Sequence, residues 1–220
     1  MRAIILAAGR GERMRPLTDT MPKPLLEVNG KPLIQYHVEN LVRAGVTGIV
    51  INHGVFGEQI ENHLGDGSRF QVNIRYSAEG NHPLDTGGGI YRALPFLGDD
   101  PFLAINADIW TDYPFQNLPV QPTGRVHLVL VENPEHNPAG DFAISDGQVG
   151  NAGSRKYTFS GIGVYRKELF DEMSGGVFPL TPLIRKAADK YLVTGEIYDG
   201  AWLDIGSPER LASLRNRVSK

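Results

Sequence analysis

The sequence predicts an α/β fold of three layers, α/β/α, in which helices cover both faces of a mostly parallel sheet, with a small antiparallel annex. Two observations predict it. In the first half of the chain, short apolar runs alternate with segments whose apolar residues recur at helical spacing. In the second half, strand-like runs follow one another across turn signals such as Asp146-Gly147, which favour antiparallel pairing.

Four strands and three helices are predicted in the first half. The strands are AIIL at 3–6, GIVINHG at 48–54, VNIRYS at 72–77 and PFLAIN at 101–106. The helices lie within KPLIQYHVENLVRAG at 31–45, in EQIENHL at 58–64 and over residues 86–94. Pro32 favours the start of the first helix and Gly45 favours its end. Strands that alternate with helices in this way predict parallel pairing.

The second half is predicted to contain more strands than helices. VHLVLVE at 126–132 and FSGIGVY at 159–165 are strands, and DFAISDGQVGNAG at 141–153 is a hairpin. Two helices, KELFDEM at 167–173 and TPLIRKAADKY at 181–191, precede a last strand pair within GEIYDGAWLDI at 195–205. The final helix runs over 207–218, with Ser207 as N-cap and Pro208 at the first position.

Composition limits the classes of protein. The chain has 220 residues, enough for one domain over 1–220 with a sizeable core. The net charge of −3 gives no overall basic field of the kind that nucleic acid attracts, so any anion site must be local. The absence of cysteine excludes disulfides and thiolate metal sites. AIILAA is too short for a signal peptide and no run could span a membrane, so we expect a cytoplasmic protein that binds neither nucleic acid nor membrane.

The first strand runs directly into an unusual basic segment, AAGRGERMRPLTDTMPKPL. Ligands of parallel sheets bind at the carboxyl ends of the strands, and small residues there let backbone N–H groups face phosphate oxygens. No Gly-Lys-Ser/Thr follows Gly9 or Gly11, and Met14 stands where a dinucleotide fingerprint needs glycine. From the residues alone, the segment binds a polyphosphate or phosphorylated metabolite, or is a solvated basic loop.

The segment LAAGRGERMRPLT…PKP closely resembles the signature of sugar-1-phosphate nucleotidyltransferases. TGGGI, NADIWTDY and WLDIGSPERL follow in the order of that family. The resemblance implies a Rossmann-like fold of the nucleotide-diphospho-sugar transferase type, with a nucleotide-binding half over about 1–120 and a sugar-binding half over about 121–220. Within the family, the chain looks most like the N-acetylmuramate α-1-phosphate uridylyltransferases of peptidoglycan recycling, with mannose-1-phosphate guanylyltransferases as close relatives.

The resemblance implies roles for individual residues on the nucleotide side. Gly9, Gly11, Glu12 and Arg13 would wrap the nucleotide phosphates, with Ala8 beside the base or ribose. Arg13 would hold the leaving diphosphate, and Lys23 would meet the α-phosphate, so these two are the predicted catalytic residues. On spacing alone, Lys23 is equally well a surface lysine in a proline-rich turn.

Three further nucleotide contacts are implied beyond the basic segment. Glu79 and Gly80 would contact the base or ribose. Gly88, with the glycines on either side of it, would offer bare N–H groups at the start of a helix. The alternative for the triple glycine is a flexible linker.

Magnesium and sugar contacts are implied at other strand ends. Asp108 and Asp204 would hold Mg²⁺, although the first could be a turn former and the second a helix cap. Asn106 and Asp141 would contact the sugar. The family usually has glycine where Ala107 stands, so Ala107 would cost stability or crowd the substrate if that position needs positive φ or close approach.

Other polar and aromatic residues carry weaker expectations. A Glu-Lys-Pro segment of longer relatives is absent, and Lys156 or Arg155 could substitute for its lysine, although an exposed loop is the alternative. Trp110 and Tyr113 could shape the sugar pocket or simply pack. The six histidines contain no close-spaced pair and are expected to be structural.

The expected reaction is in-line attack of a sugar 1-phosphate on the α-phosphorus of UTP, with release of diphosphate and no protein nucleophile. Mannose-1-phosphate guanylyltransferase is the first alternative. A non-catalytic nucleotide-sugar sensor and a transferase acting on a non-sugar phosphate, such as phosphocholine with CTP, are the others. A monomer is expected, because no hexapeptide-repeat tail follows the last helix.

Overall fold

The structure, a computed structural model, describes residues 1–218. The strands in this range are β1 (Arg2–Ala7), β2 (Glu27–Val28), β3 (Lys31–Pro32), β4 (Gly48–His53), β5 (Asn73–Ala78), β6 (Phe102–Asn106), β7 (Ile109–Thr111), β8 (Val126–Val131), β9 (Ala143–Ser145), β10 (Gln148–Gly150), β11 (Thr158–Tyr165), β12 (Val193–Tyr198) and β13 (Trp202–Asp204). The α-helices are α1 (Leu33–Arg43), α2 (Gly57–Leu64), α3 (Asp85–Leu97), α4 (Thr181–Asp189) and α5 (Pro208–Val218).

Nine strands form one sheet in the order β5-β4-β1-β6-β11-β8-β12-β10-β9. The first four are parallel to one another, β11 is antiparallel to both of its neighbours, and β8 and β12 are again parallel. The antiparallel part predicted as an annex therefore continues the main sheet, and its β9–β10 hairpin forms one edge. The carboxyl ends of β1, β6, β8 and β12 all lie along one edge of the sheet, where strand β11 begins.

Helices pack on both faces of this sheet, which confirms the three-layer prediction. Alternate residues of β1 separate the two cores, with Ile5 facing α1 and α2 and Ile4 facing α3 and α4. Both side chains are fully buried. A third apolar cluster, under α5, contains Leu211 and Leu214 together with Met14 from the basic segment.

Two local predictions are confirmed in detail. The Asp146-Gly147 turn joins β9 to β10 with positive φ at both residues, 50° and 76°, as a tight primed turn requires. At the start of α5, the Ser207 hydroxyl lies 3.4 Å from the Arg210 N–H, in N-cap geometry.

Two other predictions are wrong. KELFDEM forms a 3₁₀ helix over Lys167–Phe170 and not an α-helix, and its Leu169 and Phe170 side chains are both buried. The two strands within 195–205, which were predicted to pair with each other, do not do so. Strand β12 lies beside β8, whereas β13 pairs with β7, because Asp112 accepts hydrogen bonds from Tyr198 and from the Ala201 N–H at 2.8 Å and turns the chain away.

Among residues 1–218, no helix is both long enough and apolar enough to cross a membrane.

Candidate active site

A cavity of about 770 Å³ opens at the carboxyl ends of β1 and β6. Nine of the predicted site residues line it: Ala8, Gly9, Gly11, Glu12, Arg13, Lys23, Glu79, Asn106 and Asp108. Gly80, Gly88, Asp141 and Asp204 are not among the lining residues, although Gly206, two positions after Asp204, is. The strand ends thus gather groups from distant parts of the sequence around one space.

The basic segment is anchored and not simply a solvated loop. Met14 is 1% exposed and packs in the cluster under α5. Gly11 adopts a left-handed conformation, φ 64°, and a Cβ there would lie 3.1 Å from Thr18 and 3.2 Å from the Lys23 side chain. The Thr18 hydroxyl donates to the Gly11 carbonyl at 2.8 Å. This folding leaves Glu12 and Arg13 exposed at the cavity wall.

Lys23 and Asp108 form an ion pair in the cavity. The Lys23 Nζ donates to the Asp108 Oδ2 at 2.7 Å. Lys23 is 7% exposed, which excludes the alternative of a surface lysine. The Asp108 side chain is 40% exposed to solvent. A 3₁₀ helix over Lys23–Leu25, entered from the extended Pro22, holds the lysine. The pair places a positive and a negative group side by side where phosphates would meet.

Asp204 reaches the same region through strand pairing. It lies opposite Ile109 in the β7–β13 pair, and the Ile205 N–H donates to the Asp108 carbonyl at 2.8 Å. The Asp204 carboxylate pairs with the Arg210 Nη1 at 2.6 Å, and the His136 Nε2 lies 3.1 Å from the same oxygen. The backbone pairing therefore brings Asp204 close to Asp108, and the Asp204 carboxylate has Arg210 and His136 as its own neighbours.

The donor set of these two aspartates fits one magnesium ion. Magnesium takes oxygen ligands, needs only one or two carboxylates, and completes its shell with water and substrate phosphates. Asp108 would supply a half-exposed carboxylate at the cavity, and Asp204 would supply a second from β13. No cluster of three or more His, Asp or Glu suited to a metal is present among residues 1–218, so the substrates would have to provide the remaining ligands.

Ala107 carries no backbone strain from the departure from glycine, but it lines the cavity, so crowding of the substrate stays a prediction. Its φ is not positive, and it is 1% exposed within the core on the α1 side of the sheet. A glycine is needed instead on β11, the strand that pairs with β6. Gly161, at φ 83° in a bulge of β11, would place a Cβ 2.6 Å from the Asn106 Nδ2. The sequence analysis missed Gly161, although glycine within a strand run is the usual signal of a bulge.

A buried hydrogen-bonded relay shapes the far side of the cavity. The Asn52 Oδ1 accepts from the Ala7 N–H at 2.7 Å, and its Nδ2 donates to the Glu79 Oε1 at 2.7 Å. The other Glu79 oxygen accepts from the Leu84 N–H at 2.7 Å. Both Glu79 carboxylate oxygens thus accept hydrogen bonds from groups of the protein itself. Asn52, which the sequence analysis did not single out, is 2% exposed and lines the cavity.

The triple glycine admits a neighbouring segment and is not a row of bare donors. The Gly87 and Gly88 N–H groups both donate to the Phe178 carbonyl at 3.0 Å, which corrects the expectation of free N–H groups there. A Cβ on Gly88 would lie 2.2 Å from the Gly176 carbonyl oxygen. Gly80 is left-handed, at φ 68°. The nucleotide roles of Gly80 and Gly88 stay predictions.

The Asp141 carboxylate binds a backbone group of a neighbouring strand. Its Oδ2 accepts from the Phe159 N–H at 2.8 Å, at the start of β11. Arg155 pairs with Glu132, both with 63% exposed side chains, in agreement with an exposed loop. The sugar roles of Asp141 and Lys156 stay predictions.

The two aromatic residues considered for the sugar pocket lie elsewhere. Trp110 and Tyr113 line a separate cleft of about 380 Å³ beside α1. Tyr113 is 4% exposed and donates to Glu196, and its burial raises its pKa. Packing is thus the reading that the structure supports for both.

Comparisons with known proteins agree with this geometry. A family model described as nucleotidyl transferase matches residues 2–123. The chain is 51% identical to the N-acetylmuramate alpha-1-phosphate uridylyltransferase of Neisseria meningitidis serogroup B, over 96% of this chain and 95% of that protein. It is 34% identical to a mannose-1-phosphate guanyltransferase of Hypocrea jecorina, over 97% of this chain and 63% of that protein.

A solved structure supports the fold alone. A Bacillus anthracis protein, provisionally assigned as a glucose-1-phosphate thymidylyltransferase and crystallised with sucrose, superposes with a TM-score of 0.86 over 99% of this chain and 95% of that one, at 21% identity. The family match covers the basic segment and the strand that ends at Asn106, and the near relative extends over the rest of the chain. This chain is a member of the nucleotidyl transferase family.

Proposed function

We propose that the chain transfers a uridylyl group from UTP to N-acetylmuramate α-1-phosphate, giving a UDP-sugar and diphosphate. The observation that carries the chemistry is the Lys23–Asp108 pair, at 2.7 Å, on the wall of a cavity at the strand ends. The choice of substrates rests on the relative of 51% identity, which the chain covers almost from end to end, whereas it covers 63% of the guanyltransferase.

The reaction needs no nucleophile from the protein. A phosphate oxygen of the sugar 1-phosphate bonds to the α-phosphorus of UTP, the bond to the bridging oxygen of the β-phosphate breaks, and diphosphate leaves with that electron pair. The attacking oxygen is already anionic at neutral pH, so no proton has to be removed. The barrier lies in bringing two anions together, which makes positioning and positive charge the tasks of the protein.

Each task has a residue on the cavity wall. Lys23, held by its 3₁₀ turn, would place its ammonium at the α-phosphate, where negative charge builds. Arg13, exposed in the basic segment, would hold the departing diphosphate. Mg²⁺ bound by Asp108 and Asp204 would add the charge that neutralises both phosphates. Asn106, whose side chain occupies space that a Cβ on Gly161 would take, would contact the sugar.

The test is diphosphate release in the presence of Mg²⁺. UTP, GTP, CTP and dTTP are each combined with the 1-phosphates of N-acetylmuramate, N-acetylglucosamine, glucose and mannose, and with phosphocholine. Release confined to UTP with N-acetylmuramate 1-phosphate is expected. Release with GTP and mannose 1-phosphate would replace the substrates and keep the mechanism. Tight binding of a nucleotide sugar without release from any combination would make the protein a sensor.

A further inference from the structure

The proposed reaction brings two anions together, yet the basic residues that line the cavity all come from the first half of the chain. Arg10, Arg13 and Lys23 lie on the side of the basic segment. A sugar 1-phosphate carries its own negative charge and needs a cation that enters from the other side of the reacting centre. Such a cation would have to come from residues 121–218.

Five positive side chains within residues 121–218 bind partners away from the cavity. Arg125 donates to the Glu168 carbonyl, Arg155 pairs with Glu132, Arg166 donates to the Pro122 carbonyl, Lys167 pairs with Asp99, and Arg185 donates to the Asp141 carbonyl. Arg210 differs from these because its partner is Asp204, which stands beside Asp108.

Arg210 lies close to the cavity wall. It occupies the third position of α5, and its Nη1 is 2.6 Å from the Asp204 Oδ2 and 3.4 Å from the His136 Nε2. A Cβ placed on Gly206, a lining residue, would lie 2.9 Å from the same Nη1. The side chain is 29% exposed. A charged group that is only partly hydrated and borders the cavity can reach a ligand there at little desolvation cost.

We infer that Arg210 binds the phosphate of the sugar 1-phosphate, and that Asp204 holds its guanidinium in place until the substrates arrive. The inference rests on the proposed function. Without metal, Asp108 and Asp204 are each neutralised by one protein cation, Lys23 and Arg210. With Mg²⁺ held by these carboxylates, each cation would be free for a phosphate, and a planar guanidinium suits two phosphate oxygens at once.

The arrangement makes Asp204 a competitor of the phosphate in the absence of metal. Both are anions, and both take the same donor of Arg210. Removing the charge of Asp204 should therefore free Arg210 and raise the metal-free affinity for the sugar 1-phosphate. A residue that only positions a metal ligand would not produce this gain.

The first experiment separates the substrates by steady-state kinetics. In Arg210→Gln, the KM for N-acetylmuramate 1-phosphate should rise about 10- to 100-fold. The KM for UTP should stay within about twofold, and the half-activating Mg²⁺ concentration should fall, because Asp204 loses the cation that competes with the metal. Arg210→Lys should be intermediate because it keeps the charge and loses the planar fork. Arg217→Gln is the control, since it removes an exposed arginine from the same helix. If both KM values stay unchanged, or if only the Mg²⁺ dependence shifts, the inference is wrong.

The second experiment measures binding of N-acetylmuramate 1-phosphate without metal, by calorimetry. Asp204→Asn should bind it about tenfold more tightly than the wild type, and the double variant Asp204→Asn/Arg210→Gln should lose the gain. Equal affinity of all three proteins would overturn the inference.

A third variant tests the competing cation. Lys156 also comes from the second half of the chain, so Lys156→Gln is measured beside Arg210→Gln. A larger rise in the sugar-phosphate KM for Lys156→Gln would move the assignment to that residue. Failure of the proposed function would look different, because the wild type would then release no diphosphate from this pair of substrates.

Discussion

Lys23 is expected to affect both the stability of the fold and the reaction. Its ammonium is almost withdrawn from water, whereas its partner Asp108 keeps 40% of its side-chain exposure. Loss of the ion pair should therefore cost the buried ammonium more than the exposed carboxylate. An ammonium that loses its partner stays buried and unpaired, but a carboxylate that loses its partner is still hydrated.

This asymmetry gives a prediction for the two single variants. Asp108→Asn and Lys23→Met should each lower kcat for diphosphate release by at least about a hundredfold, because each removes a charge from the reacting centre. Their stabilities should differ. Asp108→Asn should lower the free energy of unfolding by about 1–3 kcal/mol without changing the fold, and Lys23→Met should lower it by less, as measured by urea denaturation.

The control is a pair at the surface. Asp99 pairs with Lys167 but has an 89% exposed side chain, so Asp99→Asn should change neither kcat nor stability measurably. Full activity of Asp108→Asn would remove Asp108 from the metal site. Equal loss of stability in Asp108→Asn and Lys23→Met would show that the difference in burial does not matter.

Helix α3 raises a prediction about whole elements. A Cβ on Gly89 would lie 2.5 Å from the Asn52 Nδ2 and 2.6 Å from the Glu79 Oε1, so the glycine lets α3 approach β4 and β5. Gly89→Ala should break this contact, lower the free energy of unfolding by about 1–3 kcal/mol and raise the KM for UTP. Gly150→Ala on β10 is the matched control, because its nearest atom would be an ordinary 3.7 Å away. Similar losses in both variants would contradict the role given to close packing.

The same helix shows what the sequence could and could not predict about elements. The sequence predicted α1 to α4 and the strands of the main sheet, because a helix with one buried stripe has a helical period and a strand buried on both faces is a short continuous apolar run. Whether TGGG offers donors to a ligand or space to a neighbour depends on Phe178, about ninety residues away. KELFDEM was predicted as a helix because its propensity is local, whereas the packing that makes it a short 3₁₀ turn is tertiary.

At the scale of the whole molecule, the candidate site depends on contacts between the two halves. That Lys23 and Asp108 belong to one site was expected only from the family signature, and their ion pair was not predicted, since no periodicity relates residues 85 positions apart. The β7–β13 pair, which brings Asp204 to Asp108, was not predicted at all. Asn52 has no distinctive local pattern, and the contacts of Gly161 with Asn106 and of Arg210 with Asp204 exist only once the sheet is assembled.

The stability of the whole protein should depend on pH through a buried histidine. Burial lowers the pKa of His37 from 6.5 to about 4, and the backbone of Ile109 and the charge of Asp108 only partly oppose this. His37 lies on α1 and is 2% exposed. In the unfolded chain its ring takes up a proton near pH 6.5, whereas in the folded protein it stays neutral to about pH 4. The unfolded state thus binds more protons in this window, and stability must fall as the pH falls.

Between pH 7 and pH 5, His37 alone should account for a loss of about 2 kcal/mol in the free energy of unfolding. His37→Leu removes the titrating group and keeps an apolar side chain in the core, so its stability should fall by that much less over the same range. Urea denaturation at pH 7, 6 and 5 measures both curves, with His82→Leu as the control for loss of an exposed histidine. Parallel curves for wild type and His37→Leu would show that the ring is already protonated in the folded protein, or that its cavity admits water at low pH.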